Sequence, residues 1–306
     1  MVTAAVIGLG TMGPGIVATL ARGGMTVRGC DSRPEAVQGA SELISAANGV
    51  LSALGAPDRS RPNAVSVTGD LAEAVRGADL VIETVPEDLE LKRRVFRELD
   101  ALVSKGCVLA SDTSGIPITC LQEGVSNPGR VIGMHWSNPP HIIPVVEVIA
   151  GAETSIEVVS WMVDAVKGIN LIPIVIRKDV PGFVENRVLY AILRECCALV
   201  ERGVISAADL DTCVKWGIGF KLAVIGPMEL LDVAGLDIYE AVGSYLNADL
   251  DDSKSIAAMI TERTRAGRLG MKTGRGIYEY TPERIAELRA RRAAKLVAVR
   301  KILEER

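Results

Sequence analysis

The sequence is short of several things, and each shortage narrows what it can be. Its 306 residues hold two histidines and six cysteines, and aromatic residues make up only 4%. None of Cys30, Cys107, Cys120, Cys196, Cys197 and Cys213 belongs to a C-x-x-C pair. Several stand in apolar runs, where free cysteine serves as a small hydrophobe; this argues against a disulfide framework and for a reducing, cytoplasmic setting. With so few histidines and no paired cysteines, no metal site is expected. No apolar run approaches the ~18 residues of a membrane span. The opening MVTAAVIGLGTMG lacks a basic stretch and a small-residue cleavage site, so no signal peptide is read there. An excess of one charge is missing too. Thirty-four Lys plus Arg against 38 Asp plus Glu give no overall field to draw the chain to nucleic acid or membrane. An acidic ligand must then be held by local positive charge, and there is no lysine at all before Lys92.

What is present is a strong alternation. Short β-branched runs and helical stretches take turns through the first 180 or so residues, which predicts parallel strands joined by crossover helices. Strands are expected at Thr3–Ile7, Thr26–Cys30, Val65–Thr68, Leu80–Glu83, Val108–Ser111, Val131–His135, Ile142–Ile149 and Leu171–Val175, with a long helix over Pro34–Leu54 and another over Ser155–Gly168. After Asp179-Val180-Pro181-Gly182 the apolar residues recur at helical spacing, as at Val184, Val188 and Ile192. The expected organisation is an α/β Rossmann-type nucleotide-binding domain over 1–179 and an all-helical domain over 180–306. The Arg-rich final helix reads as a solvated face with i,i+4 pairs such as Glu287–Arg291.

Gly8-Leu9-Gly10-Thr11-Met12-Gly13 follows the first strand directly and opens a helix. The first glycine makes the tight turn, the second admits a pyrophosphate to the backbone, and the third lets helix pack on strand. The helix N-terminus then faces the phosphate charge. A lone GxGxxG is weak, but this one stands in its required strand–turn–helix setting. Asp31 ends the second strand, where a carboxylate accepts from both ribose hydroxyls and repels a 2′-phosphate; this points to NAD. Arg33, two residues on, is the one group there able to meet a phosphate.

Of the two histidines, His135 ends an expected strand at the carboxyl edge of the sheet, where open α/β folds bind ligands. Twelve residues later Glu147 stands alone among Val and Ile in PVVEVIA, and a buried carboxylate needs a partner. Pairing the two would orient the imidazole as a general base. Trp136 and His141 add flat groups beside it.

The blocks SDTSGIPIT (111–119), GMHWSNPPHIIPVVEVIAG (133–151), KDVPGFVENR (178–187), GPMELLDVAGLDIY (226–239) and GMKTGRGIYEY (270–280) together resemble the 3-hydroxyacyl-CoA dehydrogenase family, in its order and over nearly the whole chain. The resemblance implies that His135 is the base, Glu147 its partner, and Ser114 and Asn186 ligands of the substrate oxygen. It implies further that Glu87 and Lys92 flank the cofactor ribose, that Asn138 reaches the nicotinamide, that Lys272 approaches the cofactor, and that the helical domain forms a homodimer.

Two departures bear on the substrate. Acyl-CoA members resemble one another in a lysine-rich helix after the second strand, whereas here that region reads PEAVQGASELISAANGVLSAL and offers CoA phosphates nothing. Before GPMELLD the acyl-CoA members read like G-Y-P-M-G-P, whereas this chain carries Lys221, as do members acting on small free acids. The expected substrate is therefore a small carboxylate, held by Lys221 and flanked by Trp136. The combination of HWSNPPHIIP with WGIGFKLAVIGPMELLD resembles members that oxidise an aromatic aldehyde with NAD. A 3-hydroxyacyl-CoA, gulonate or carnitine substrate, and a cofactor-binding protein without turnover, stay open at this level.

Overall fold

The β-branched runs become one eight-stranded sheet in the computed structural model, which describes residues 2–305. Its strands are β1 (Thr3–Ile7), β2 (Thr26–Cys30), β3 (Val65–Thr68), β4 (Leu80–Glu83), β5 (Val108–Ser111), β6 (Val131–Trp136), β7 (Val145–Ala150) and β8 (Ile172–Ile176), in the spatial order 3-2-1-4-5-6-7-8. The helices of this region are α1 (Gly13–Arg22), α2 (Pro34–Leu54), α3 (Leu71–Val75), α4 (Leu89–Leu102), α5 (Ile118–Leu121) and α6 (Ile156–Gly168). Local chemistry sets their ends. Asp70, Asp88 and Ser155 accept from the backbone N–H three residues on and start α3, α4 and α6, and α2 stops at Gly55 with φ of 76°. Strands β4 and β5 are buried at every residue, which is why each reads as a short apolar run rather than an alternation, closed by one buried polar residue, Glu83 or Ser111.

One junction departs from the expected parallel pattern. β6 and β7 are antiparallel, and β7 begins at Val145 rather than Ile142. Only Ser137–Pro144 connects them, too little chain for the crossover of a dozen or more residues that a parallel pair needs. Three prolines hold this segment in a turn, in which the Pro139 carbonyl accepts from Ile142 and Ile143 N–H, both at 3.0 Å. The hairpin sets His135 directly opposite Glu147.

The pleat of β6 also corrects an expectation. Successive strand residues point to opposite faces. Met134 and Trp136 therefore enter the core with Val146 and Val148, while His135 lies on the other face, against Phe183. Trp136 is buried to 1% exposure, so it packs the sheet and does not flank a substrate.

The chain divides into two compact units, Met1–Arg187 and Val188–Arg306. The first unit reaches past Phe183, which is wholly buried in its core. Helix α7 (Glu185–Glu201) runs into the second unit, whose remaining helices include Ala207–Cys213, Pro227–Ala234, Leu236–Asp249, Ala258–Arg265 and Pro282–Glu304. None of these has a single buried residue, and Tyr190, Trp216, Phe220, Met228 and Tyr245 are all exposed. Among the described residues no helix is long and apolar enough to cross a membrane.

Candidate active site

His135 and Glu147 face each other across the β6–β7 ladder, and His135 Nδ1 lies 2.7 Å from Glu147 Oε2. The other carboxylate oxygen, Oε1, accepts the backbone N–H groups of Val184 (3.0 Å) and Glu185 (3.1 Å) at the start of α7. Both oxygens are thus committed, and the carboxylate cannot rotate. Burial works against charge on the His135 ring. The bond to Glu147 and the negative charges of Asp112, Glu147 and Glu185 outweigh it and hold the imidazole pKa above its ordinary value. Glu147 moves the opposite way: burial would raise it, but His135 and the two N–H groups stabilise its anion and lower it. With Nδ1–H donated to Glu147, the lone pair sits on Nε2, which is where this arrangement can take a proton.

Ser114 and Asn186 also come together, though through the backbone. Asn186 Nδ2 donates to the Ser114 carbonyl at 2.6 Å, while the Ser114 hydroxyl has no partner among the described residues. Glu87 secures the same turn, its Oε1 accepting from Thr113 Oγ1 (2.6 Å), Ser114 N (3.0 Å) and Gly115 N (3.1 Å). Lys92 is 1% exposed and donates to Glu83 Oε1 at 2.7 Å and to the Val85 carbonyl at 3.1 Å. It reaches Glu87 at 3.5 Å. Glu83, wholly buried on β4, also accepts from Ser111 Oγ at 2.7 Å and Val85 N at 2.6 Å. Lys92 is therefore the hub of a buried ion pair that leads to the Ser114 turn. Sequence reasoning missed Glu83, although an acid closing an apolar strand (LVIE) was the available signal. It also missed Asp112, which accepts the Trp136 N–H at 2.8 Å and which burial pushes up to about 8.

The glycine turn has the shape a dinucleotide requires. Gly8 has φ of 109°, and a Cβ there would lie 2.7 Å from the Thr84 carbonyl oxygen; one on Gly13 would lie 2.0 Å from the Gly8 oxygen. Nothing in the protein lies within 4 Å of a Cβ on Gly10, so the space over it is open. Thr11 and Gly10 are exposed, Met12 is half-buried, and α1 begins at Gly13 with Pro14 in its first turn. Asp31 holds the turn through Leu9 N–H at 2.8 Å and is itself clamped by Arg33, through the backbone N at 2.9 Å and the guanidinium at 3.0 and 3.1 Å. Burial would raise Asp31, but Arg33 and the Leu9 N–H lower it. The Arg33 side chain is 57% exposed, so ribose hydroxyls can displace it at little cost. His141 lies against α1, its Nδ1 2.8 Å from where a Gly15 Cβ would be.

Asn138 is exposed and precedes a cis Pro139. Lys221 and Lys272 lie in the second unit, Lys221 in the short helix Phe220–Leu222 and Lys272 between Gly270 and Arg275; both are exposed. His135, Glu147 and Glu185 offer three atoms within 4.8 Å of one another. Within this cluster Nδ1 of His135 and Oε2 of Glu147 are joined by the 2.7 Å hydrogen bond.

Comparison with known proteins adds the chemistry. Residues 3–180 match the 3-hydroxyacyl-CoA dehydrogenase NAD binding domain, and residues 182–280 its C-terminal domain. The chain is 57% identical over 303 residues to 5-formyl-3-hydroxy-2-methylpyridine 4-carboxylate 5-dehydrogenase of Mesorhizobium japonicum, covering 99% of this chain and 98% of that one. It is 38% identical to an L-carnitine dehydrogenase of Streptomyces griseus, over 76% of this chain and 69% of the other. A crystal structure of a 5-formyl-3-hydroxy-2-methylpyridine 4-carboxylic acid 5-dehydrogenase, described as an NAD+ dependent dismutase, superposes with a TM-score of 0.97 at 56% identity, covering the whole of both chains.

The buried pair generates a first prediction. Glu83→Gln should leave Lys92 a buried cation whose remaining anionic partner is Glu87 at 3.5 Å, lowering stability by about 3–5 kcal/mol. Urea unfolding reads this, and a loss under about 1 kcal/mol would show that the pair does not hold this corner of the sheet.

Proposed function

This chain belongs to the 3-hydroxyacyl-CoA dehydrogenase family, and on that footing we propose that it is an NAD-dependent dehydrogenase oxidising the aldehyde of 5-formyl-3-hydroxy-2-methylpyridine-4-carboxylate, as its hydrate, to the acid. The observation that carries the reading is the His135–Glu147 pair with its free Nε2, set in a chain alike from end to end to an enzyme of that activity. The residues fit the cofactor: Gly8 and Gly13 close the turn, Gly10 leaves it open, and Asp31 replaces its bond to Arg33 with the ribose hydroxyls. Bound NAD supplies the hydride acceptor.

His135 Nε2 removes the proton of one hydroxyl on the hydrated carbon. Glu147 fixes the tautomer and stabilises the imidazolium that results. The Ser114 hydroxyl and the Asn186 amide hold the substrate oxygen, on a turn that Glu87 and Lys92 keep in place. Asn138 and Lys272 serve the cofactor. Lys221 pairs with the ring carboxylate, while Trp136, buried on the other face of the sheet, takes no part in recognition. Small free acids are favoured over CoA esters because no lysine before Lys92 is available to bind CoA phosphates and Lys92 is consumed by Glu83. We place the enzyme in the cytoplasm, with its six free thiols reduced, and as a homodimer joined through the second unit, whose helices bury nothing on their own.

His135→Ala should lower kcat by on the order of 10²–10⁴-fold with NAD affinity near native. Because the base acts in its neutral form, kcat/KM should rise as pH climbs through the raised His135 pKa. Glu147→Gln removes the contact that raises it, so the acid limb should move to lower pH while the maximum falls. An unshifted limb would contradict the pairing.

Lys221→Ala should raise KM for the pyridine aldehyde acid by roughly thirtyfold or more and barely affect its methyl ester, since an unpaired carboxylate loses about 2–5 kcal/mol and 1.4 kcal/mol is tenfold. A better kcat/KM for acetoacetyl-CoA would overturn the substrate assignment and leave the dehydrogenase. Sedimentation at micromolar concentration should give a dimer, and a stable monomer would refute the proposed assembly.

A further inference from the structure

Glu185 is a second carboxylate beside the base, and the mechanism above does not use it. It opens α7, is exposed, and puts an oxygen within 4.8 Å of a nitrogen of His135 and an oxygen of Glu147. Ser137 Oγ donates to its Oε2 and so fixes it beside the end of β6. Among the described residues no lysine or arginine pairs with it. Two carboxylates this close repel each other. The N-terminus of α7 offsets part of that cost, and a charged His135 offsets more. Stability alone does not call for a negative group here, and a serine is spent on orienting it. The base is thus flanked by two anions, one wholly committed to holding it and one exposed with an oxygen to spare.

An alcohol brings one hydroxyl to a base, and a hydrated aldehyde brings two on the same carbon. Each needs an acceptor at about 2.7 Å, so a hydrate fits two acceptors a few ångström apart. The His135 ring, through one of its nitrogens, and a Glu185 oxygen lie within 4.8 Å of each other, a spacing of that order. We propose that Glu185 is the acceptor for the second hydroxyl of the hydrated aldehyde, which makes it a specificity-determining residue for hydrate over simple alcohol; this rests on the aldehyde-oxidation reading above. In the step, the first hydroxyl gives its proton to His135 Nε2 and its oxygen becomes the carbonyl. The C–H electron pair leaves as hydride to the nicotinamide, reducing NAD to NADH as the carbon is oxidised. The second oxygen remains as the acid hydroxyl, and its proton passes to water to leave the carboxylate. A bond from that hydroxyl to Glu185 increases electron density on the oxygen as the carbon loses hydride, an interaction stronger in the transition state than in the ground state.

Aldehyde reduction supplies an internal control, because it acts on the free carbonyl, with a single oxygen. The two directions are measured separately on the pyridine aldehyde acid, oxidation with NAD and reduction with NADH. Glu185→Leu should lower kcat/KM for oxidation by on the order of ten- to a hundredfold, the loss of one hydrogen bond to a charged group. Glu185→Gln, which keeps a neutral acceptor, should fall between, and Ser137→Ala should shift the ratio the same way by less. Reduction should change by no more than about threefold in each variant. Calorimetry adds a readout without turnover: the dicarboxylate product should bind Glu185→Gln more tightly than the native chain, because the repelling charge is gone. Loss of both directions alike, or of neither, or unchanged product affinity, would overturn the role of Glu185 and leave the dehydrogenase reading standing. A native chain inert toward the aldehyde in both directions would overturn both.

Discussion

The Glu147 carboxylate ties this molecule together at its chemical centre. One oxygen holds Nδ1 of His135 across the β6–β7 hairpin, and the other takes two N–H groups at the start of α7. A strand, its antiparallel neighbour and a helix start are thereby fixed on a single side chain. Those N–H groups would otherwise be among the unsatisfied donors that every helix start exposes. The same contacts keep Glu147 ionised although it is buried, and the ionised carboxylate keeps His135 basic although it is buried too. Structure and reactivity here are one arrangement.

A second carboxylate, Glu83, does for the Ser114 turn what Glu147 does for the base. It is buried on β4 and draws Lys92 in from α4; Lys92 in turn reaches Glu87, whose oxygen gathers three donors of the 113–115 turn. Asn186 then closes the turn from α7, next to the residue that binds Glu147. The two networks meet on consecutive residues, Glu185 and Asn186, so the start of this one helix aligns base and turn alike. Such alignment matters because proton transfer depends on hydrogen-bond geometry before it depends on pKa.

Much of this was legible in the sequence. The strands of the parallel region stand out because its central members, β1, β4 and β5, are buried on both faces and so run apolar for most of their length, and helix caps and the glycine turn mark the breaks between them. The antiparallel β7 was less legible, because its direction depends on connection length rather than on composition. Glu147 was readable as a lone acid among β-branched residues, whereas Trp136 was misjudged because adjacency in sequence is opposition across a pleat. Glu83 and Asp112 went unseen, because a carboxylate at the end of a strand looks the same whether it meets water or a lysine. The clamp of Arg33 on Asp31 was invisible for a related reason, since two neighbouring charges do not announce whether they pair with each other or with a ligand.

With only two histidines, the chain allows the central claim to be read directly. Nitrogen-15 spectra of the imidazoles, followed through a pH titration, report both tautomer and pKa. The account predicts that one ring is the Nδ1–H tautomer titrating above the ordinary histidine value, and that Glu147→Gln abolishes both features for that ring. His141, whose pKa burial lowers, should titrate below it and stay unchanged in the variant. A His135 ring carrying its proton on Nε2, or titrating at or below the ordinary value, would contradict the account at its centre.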